Sequence, residues 1–385
     1  MFKIKTQNKI TRQGLDIFDP KNYQISDGET NPDAIVVRSA IMHGIELNPE
    51  LKAIARAGAG VNNIPIDKCA EAGVVVFNTP GANANAVKEL VVAALILASR
   101  DVINGVNWAQ TLAENVAKEV EAGKSNFAGV EVLGKTLGIV GMGAIGGPVA
   151  NVGIALGMNV IGQDPYMTVE NALSLTRAVK MVKERNEIIE KSDYISLHAP
   201  VTAETKNMIN AETIAKMKDG VRIFNFSRAD LVDDDAMAAA LESGKVAKYV
   251  TDFPNEKVLK MKNAIAIPHL GASTEESEDN CAVMAVNQII DYLENGNIKN
   301  SVNYPDLVMD RTTDTRICVF HKNVSGTISK ISSSVSELGI NIENLTNRSR
   351  GDYAYTICDI NGKIPDNFAE KLASVKDIIK INVIN

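Results

Sequence analysis

The chain has 385 residues, 45% hydrophobic and 23% charged, with a net charge of −7, which suits a globular protein of more than one domain and argues against a nucleic-acid surface. Its four cysteines show no CxxC spacing and form neither a disulfide framework nor a metal site. The longest apolar run (90–98) is far shorter than the roughly 20 residues that span a bilayer, and the start MFKIKTQNKI lacks an apolar signal core, so a cytoplasmic protein without a membrane partner is expected.

In chain order, IVVRSA (35–40) reads as a strand, NPELKAIARAG (48–58) as the start of a helix, and VVVFNTPG (74–81) as a strand ending in a turn. Residues 89–109 are apolar over a long stretch and predict one connecting helix. A second strand–helix alternation begins at KTLGIVGMGAIGG (135–147) and runs through NVIGQD, YISLHA, VRIFNFS, YVTDF and AIAIPHL. Alternation of this kind predicts α/β architecture with parallel, doubly wound sheets. Residues 273–296 predict a long helix with acids in its first turn and Gly296 as its stop. The polar stretch 297–313 reads as a linker. Beyond it the pattern is β-α-β-β-α-β, with helices expected over 325–338 and near 366–374, a ferredoxin-like module.

Gly141, Gly143 and Gly146 form GxGxxG between the strand LGIV and a helix. Glycine there permits a tight turn and close backbone approach to a pyrophosphate at a helix N-terminus. Asp164 ends the next strand, where an acid accepts hydrogen bonds from a ribose 2′-hydroxyl and repels a 2′-phosphate. Together they predict NAD as cofactor; a turn-capping role before Pro165 is the other reading of Asp164. Arg228, Glu256 and His269 each follow a strand, where loops line the ligand crevice of an open α/β sheet. As a set they could clamp a carboxylate, orient an imidazole and move a proton; singly, Arg228 also fits a solvated loop, Glu256 a surface charge and His269 a satisfied polar residue.

The ordered segments VRSAIMH, RAGAGVNNIPID, NTPGANANAVKEL, LGIVGMGAIGGPVA, NFSRADLVDDDAM, DFPNE and IPHLGAST resemble the D-isomer-specific 2-hydroxyacid dehydrogenase family over essentially the whole chain. The resemblance implies two Rossmann- or flavodoxin-like domains. A substrate domain of 1–89 and 271–303 would enclose an NAD domain of 90–270, followed by a linker (304–313) and a regulatory module (314–385). It implies that Arg228 holds the substrate carboxylate, that His269 transfers the proton and that Glu256 is its partner. Ala144, Ile145, Ala59, His198, Ala199, Pro200, Phe226, Ser227, Asp252 and Gly271 would complete the dinucleotide contacts, with Arg228 and His269 beside them. Arg38, Ser39 and Gly60 would meet the substrate. The implied reaction is NAD-dependent oxidation of 3-phosphoglycerate, the first committed step of L-serine biosynthesis. Another 2-oxo acid such as hydroxypyruvate or 2-oxoglutarate, or a non-catalytic NAD sensor, are the alternative readings.

The chain departs from the family pattern in three places. TDFPNE is one residue short, Arg228 precedes Ala229 rather than glycine, and Ala40 stands where a second basic residue is common, leaving Lys88 and Lys124 as phosphate candidates. The C-terminal module resembles an ACT domain. His321, Asn323 and Asn341 match the effector ligands of serine-inhibited members, which implies L-serine as effector; Ser325 replaces the usual proline. The three are expected at one end of the sheet, near a seam between modules of a homodimer or homotetramer.

Overall fold

Short β-branched runs build the first sheet of the computed structural model, which describes residues 1–362, 364–365, 368, 372 and 375–385. Its strands are β1 (Phe2–Gln7), β2 (Tyr23–Ser26), β3 (Ala34–Val37), β4 (Ala53–Arg56) and β5 (Val75–Phe77). They pair in parallel in the order β2-β1-β3-β4-β5. Every residue of β3 and β5 is buried, as a sheet covered on both faces requires. The helix expected to begin at 48 is instead a turn leading into β4. Asn48 Oδ1 accepts from the Leu51 amide at 2.7 Å, and Ala53–Ala55 lie fully buried between β3 and β5. Pairing on both sides outweighs the helix propensity of Leu, Lys and Ala.

The chain divides into two units, 1–83 with 275–385, and 84–274. In the first, helix Glu275–Asn295 runs where the sequence places it, burying Ala282, Ala285, Val286, Ile289 and Tyr292 in the sheet's core. Residues 304–313, expected as a linker, begin as a tightly anchored segment. Tyr304 donates to the Ala70 carbonyl at 2.6 Å, and Leu307 exchanges two 2.9 Å backbone bonds with Ile298. Just before it, Asn303 bonds Val74 O and Val76 N, so its amide satisfies backbone groups of β5.

Beyond lie β13 (Thr315–Lys322), β14 (Asn341–Arg350), β15 (Tyr353–Asn361) and β16 (Ile378–Ile384), an antiparallel sheet in the order β14-β15-β13-β16. Helix Thr327–Ser336 covers one face; the second helix, expected near 366–374, falls largely outside the described residues. The other face does not turn to solvent. Cys318, Phe320, Tyr355 and Ile357 join the core of the first sheet, and Tyr355 donates to Gly296 O at 2.6 Å.

The second unit holds β6 (Thr136–Val140), β7 (Asn159–Gln163), β8 (Lys180–Met181), β9 (Tyr194–Leu197), β10 (Val221–Asn225), β11 (Val246–Thr251) and β12 (Ala264–Ala266). All pairs are parallel, in the order β12-β11-β10-β9-β6-β7-β8, so the winding reverses between β6 and β9. The single helix predicted over 89–109 is two, Ala84–Ser99 and Val102–Ala109. The Val130 amide takes the Ser99 carbonyl at 2.9 Å, and that capture ends the first helix. Among the described residues no helix is long and apolar enough to cross a membrane.

The C-terminal sheet carries a fully buried ion pair. Arg316 Nε and Nη2 lie 2.6 and 2.9 Å from the two oxygens of Asp359, while Nη1 donates to Asn295 O and Met309 O. Burial works to raise the Asp359 carboxyl, and its bonds to Arg316 and Thr312 outweigh it, leaving it below the ordinary value. The pair's contribution is therefore present above the unfolded-state pKa and lost as pH falls below about 4. Asp359→Ala should cost about 3–5 kcal/mol in urea unfolding, by leaving a buried guanidinium unpaired, and the double change Arg316→Met with Asp359→Leu should recover most of it.

Candidate active site

The glycine turn after β6 is shaped by close approaches. Gly141 has φ +90°, and a Cβ on it would lie 2.5 Å from the His198 carbonyl oxygen. A Cβ on Gly146 would lie 1.9 Å from Gly141 O, whereas one on Gly143 would meet nothing within 4 Å. The first and third glycines are thus required by the fold, and the second leaves bare backbone open to a ligand at the start of helix Gly146–Ala155. Ile145 is the N-cap of that helix, and Ala144 before it is exposed. Asp164 bonds the Met142 amide at 2.9 Å with one oxygen and the Tyr166 amide at 2.8 Å with the other. It caps the turn before Pro165 and ties itself to the glycine loop, with lone pairs remaining for a hydroxyl.

His198 follows β9, with Nε2 2.8 Å from Ser196 Oγ. Among the described residues its Nδ1 is buried without a partner, and burial lowers the ring's pKa to about 4, so it stays neutral near pH 7. Ala199 O accepts from Ser227 Oγ at 2.7 Å, Pro200 O accepts from Thr205 Oγ1 at 2.6 Å, and Phe226 is buried.

Arg228 is presented by Asn225, a residue the sequence reading passed over. Asn225 Oδ1 accepts from the Ser227 and Arg228 amides at 3.3 and 3.4 Å, and its Nδ2 donates to Arg228 O at 2.9 Å. The signal was a lone amide inside an apolar strand; buried completely, it had to bond backbone. Ala229 opens a 3-10 turn and is absent from the positive-φ residues, so the missing glycine costs no backbone strain.

His269 does adopt a left-handed backbone, φ +42°, held by its amide's bonds to Ile267 O at 2.9 Å and Asp252 O at 3.2 Å. Its exposed ring meets Phe253 edge-on at 5.2 Å. Asp252 is 2% exposed; Oδ2 accepts from the Gly271 amide at 3.3 Å, and Oδ1 is buried without a partner among the described residues. Burial raises its carboxyl, opposed by the charges of His269 and Arg228, so these three groups share one electrostatic neighbourhood. Glu256 does not join them. It is exposed and makes no hydrogen bond or ion pair among the described residues. The open backbone at Gly143, the unpartnered Asp252 oxygen and the unpartnered His198 nitrogen suit a dinucleotide that brings its own donors and acceptors.

In the first unit, Arg38 pairs with Glu278 at 2.6 Å, and Ser39 and Ala40 donate their amides to Asn8 Oδ1 at 3.1 and 2.6 Å. Arg56, also passed over, ends β4 and donates to the carbonyls of Arg38 (3.0 Å) and Gly60. Ala59 O accepts from Asn78. Lys88 bonds Asn85, and Lys124 pairs with Glu121.

The three expected effector residues do not lie at one end of the sheet. Asn341 starts β14 opposite Asn361, whereas His321 pairs with Ala354 and Asn323 bonds Gly351 O at the far end. β13 and β14 both run antiparallel to β15, so the end of one and the start of the other are a strand length apart. His321 is 2% exposed, with Nε2 on Thr356 and Asn347 and Nδ1 on Lys322 O.

The model described as D-isomer specific 2-hydroxyacid dehydrogenase, NAD binding domain, matches residues 92–271. A hydroxypyruvate reductase of Thermotoga maritima is 38% identical over 67% of this chain and 83% of its own. The chain belongs to the D-isomer-specific 2-hydroxyacid dehydrogenase family. D-3-phosphoglycerate dehydrogenase of Methanocaldococcus jannaschii is 36% identical over 72% of this chain, which spans 53% of that relative's length. The chain likewise spans 57% and 60% of two further curated relatives of that name. Among solved structures, the NAD+-bound 3-phosphoglycerate dehydrogenase of Entamoeba histolytica is 29% identical, with TM-score 0.61 over 80% of this chain and 99% of that one. The family's NAD-binding domain thus coincides with the sheet that carries the glycine turn.

If Gly146 is needed because its Cα faces the Gly141 carbonyl, Gly146→Ala should weaken NADH binding at least about 10-fold, through loss of the loop that cradles phosphate. Fluorescence titration of NADH reads this; unchanged affinity would contradict it.

Proposed function

We propose that the protein is an NAD-dependent dehydrogenase that oxidises 3-phosphoglycerate at C2 to 3-phosphohydroxypyruvate. The observation that carries this reading is geometric: Arg228, Asp252 and His269 follow β10, β11 and β12, which pair side by side in parallel, and the His269 amide bonds Asp252 O at 3.2 Å. Bound NAD supplies the hydride acceptor. His269 takes the hydroxyl proton as the C2–H bond is lost as hydride, and Arg228 holds the carboxylate and polarises the oxygen that becomes the carbonyl. Asp252 O accepts from the His269 amide, and its open carboxylate oxygen would meet the cofactor's carboxamide. The partner role that the resemblance gives Glu256 has no contact behind it among the described residues. Arg38 and Arg56 supply positive charge for the phosphate, in place of the missing basic residue at Ala40.

His269→Ala should lower turnover by about two to four orders of magnitude, measured by NADH absorbance. Near-parental turnover would end the assignment. A second reading, reduction of hydroxypyruvate, is favoured by the Thermotoga relative's name. A panel of phosphorylated and unphosphorylated 2-hydroxy and 2-oxo acids, 2-oxoglutarate included, decides between them, and no turnover on any would leave an NAD-binding sensor.

We also propose L-serine as an effector acting on a homodimer. β14 is an edge strand with most of its residues exposed. Antiparallel pairing of two such edges removes both and sets the Asn341 end of one copy beside the Asn323 end of the other. Asn341→Ala should then weaken serine inhibition without lowering uninhibited turnover, as titration of both proteins would read; inhibition that survives the change would leave the module an assembly element.

A further inference from the structure

Arg38 and Arg56 close adjacent parallel strands, with Val37 paired to Arg56, so two guanidiniums sit at one open sheet end. Both act electrostatically on the buried Cys281 thiol, which lies one turn along helix Glu275–Asn295 from Glu278. Glu278 Oε1 lies 2.6 Å from Arg38 Nη2, with the two side chains about one-third exposed, 34% and 38% respectively. The backbone around Arg38 is already fixed. Its carbonyl accepts from Arg56, and the next two amides bond Asn8. What remains free is the direction of the guanidinium, and Glu278 sets it.

A partly exposed pair of this kind contributes little to stability. Beside a cation that must receive an anion, its charge acts differently. It orients Arg38 and at the same time repels each negative charge the ligand brings. We propose that Glu278 is a specificity-determining positioning residue. It holds Arg38 for the substrate while limiting the positive charge on offer, and so sets the preference between a phosphate-bearing 2-hydroxy acid and a plain monocarboxylate. This inference rests on the reading of Arg38 as a substrate group.

Glu278→Gln keeps the length and an accepting oxygen but removes the charge; Glu278→Ala removes both. With the full chain and NAD, the Gln variant should lower KM for 3-phosphoglycerate about 3- to 10-fold, change KM for D-glycerate less, and leave the effect in KM rather than kcat. The Ala variant should raise KM for both acids. Equal shifts for the two acids in the Gln variant, or an unchanged KM ratio, would overturn the charge role. An Ala variant indistinguishable from Gln would overturn the positioning role. Calorimetric titration of both acids into the same variants reads that ratio as dissociation constants. A parent without turnover would then sink the dehydrogenase reading, while the affinity ratio still decides the role of Glu278.

Discussion

Parallel pairing is the constraint from which the candidate site follows. A chain that returns by a crossover to the same starting end after each strand collects the outgoing loops of each sheet at one end. Arg38 follows β3 and Arg56 ends β4. In the other sheet Gly141 follows β6, Asp164 β7, His198 β9, Arg228 β10, Asp252 β11 and His269 β12. None of these lies more than three residues beyond its strand. The chemistry is distributed along the sequence because the fold samples one loop per crossing. The reversal between β6 and β9 sets the glycine turn directly against the His198 carbonyl.

In the first unit, helix Glu275–Asn295 is a wall shared by two sheets. Its apolar side packs on β1–β5 and, through Tyr292, on Phe320 of the antiparallel sheet. Its first turn touches Arg38 through Glu278, and its last carbonyl accepts from Arg316. Lys380 of β16 reaches the carbonyls of Pro49 and Leu51, and burial lowers its ammonium to about 8. The C-terminal module is therefore packed against the first sheet at several points, joined to it by one helix whose first turn meets Arg38.

Much of this was legible in the sequence where local pattern and tertiary demand agree. Gly141 and Gly146 announce a turn too tight for side chains, and the 273–296 pattern carries its own start and stop. Legibility failed where partners distant in sequence decide. Residues 53–56 are helix-compatible and become a strand because β3 and β5 flank them. Asn303 looks like loop polarity and serves as a strand-edge partner. Arg56 and Asn225 read as incidental polar residues, and their roles appear only with Arg38, Gly60 and Arg228 beside them. The placement of Asn341 depended on strand direction, which spacing along the chain does not encode.

The two kinds of buried polarity in this chain point to different purposes. Arg316 and Asp359 are buried completely, and six hydrogen bonds tie the guanidinium and the carboxylate to protein groups. A group left unsatisfied costs about 1–3 kcal/mol, so such closure is what a purely structural charge requires. Asp252 Oδ1 and His198 Nδ1 are buried atoms without a partner among the described residues, and His269 beside Asp252 holds a backbone conformation that a non-glycine residue rarely takes. Unpartnered buried atoms also occur away from these strand ends, so it is their placement beside the glycine turn and His269 that gives them meaning. Their persistence at the ends of β9, β11 and β12 is accounted for if the missing partners come from cofactor and substrate.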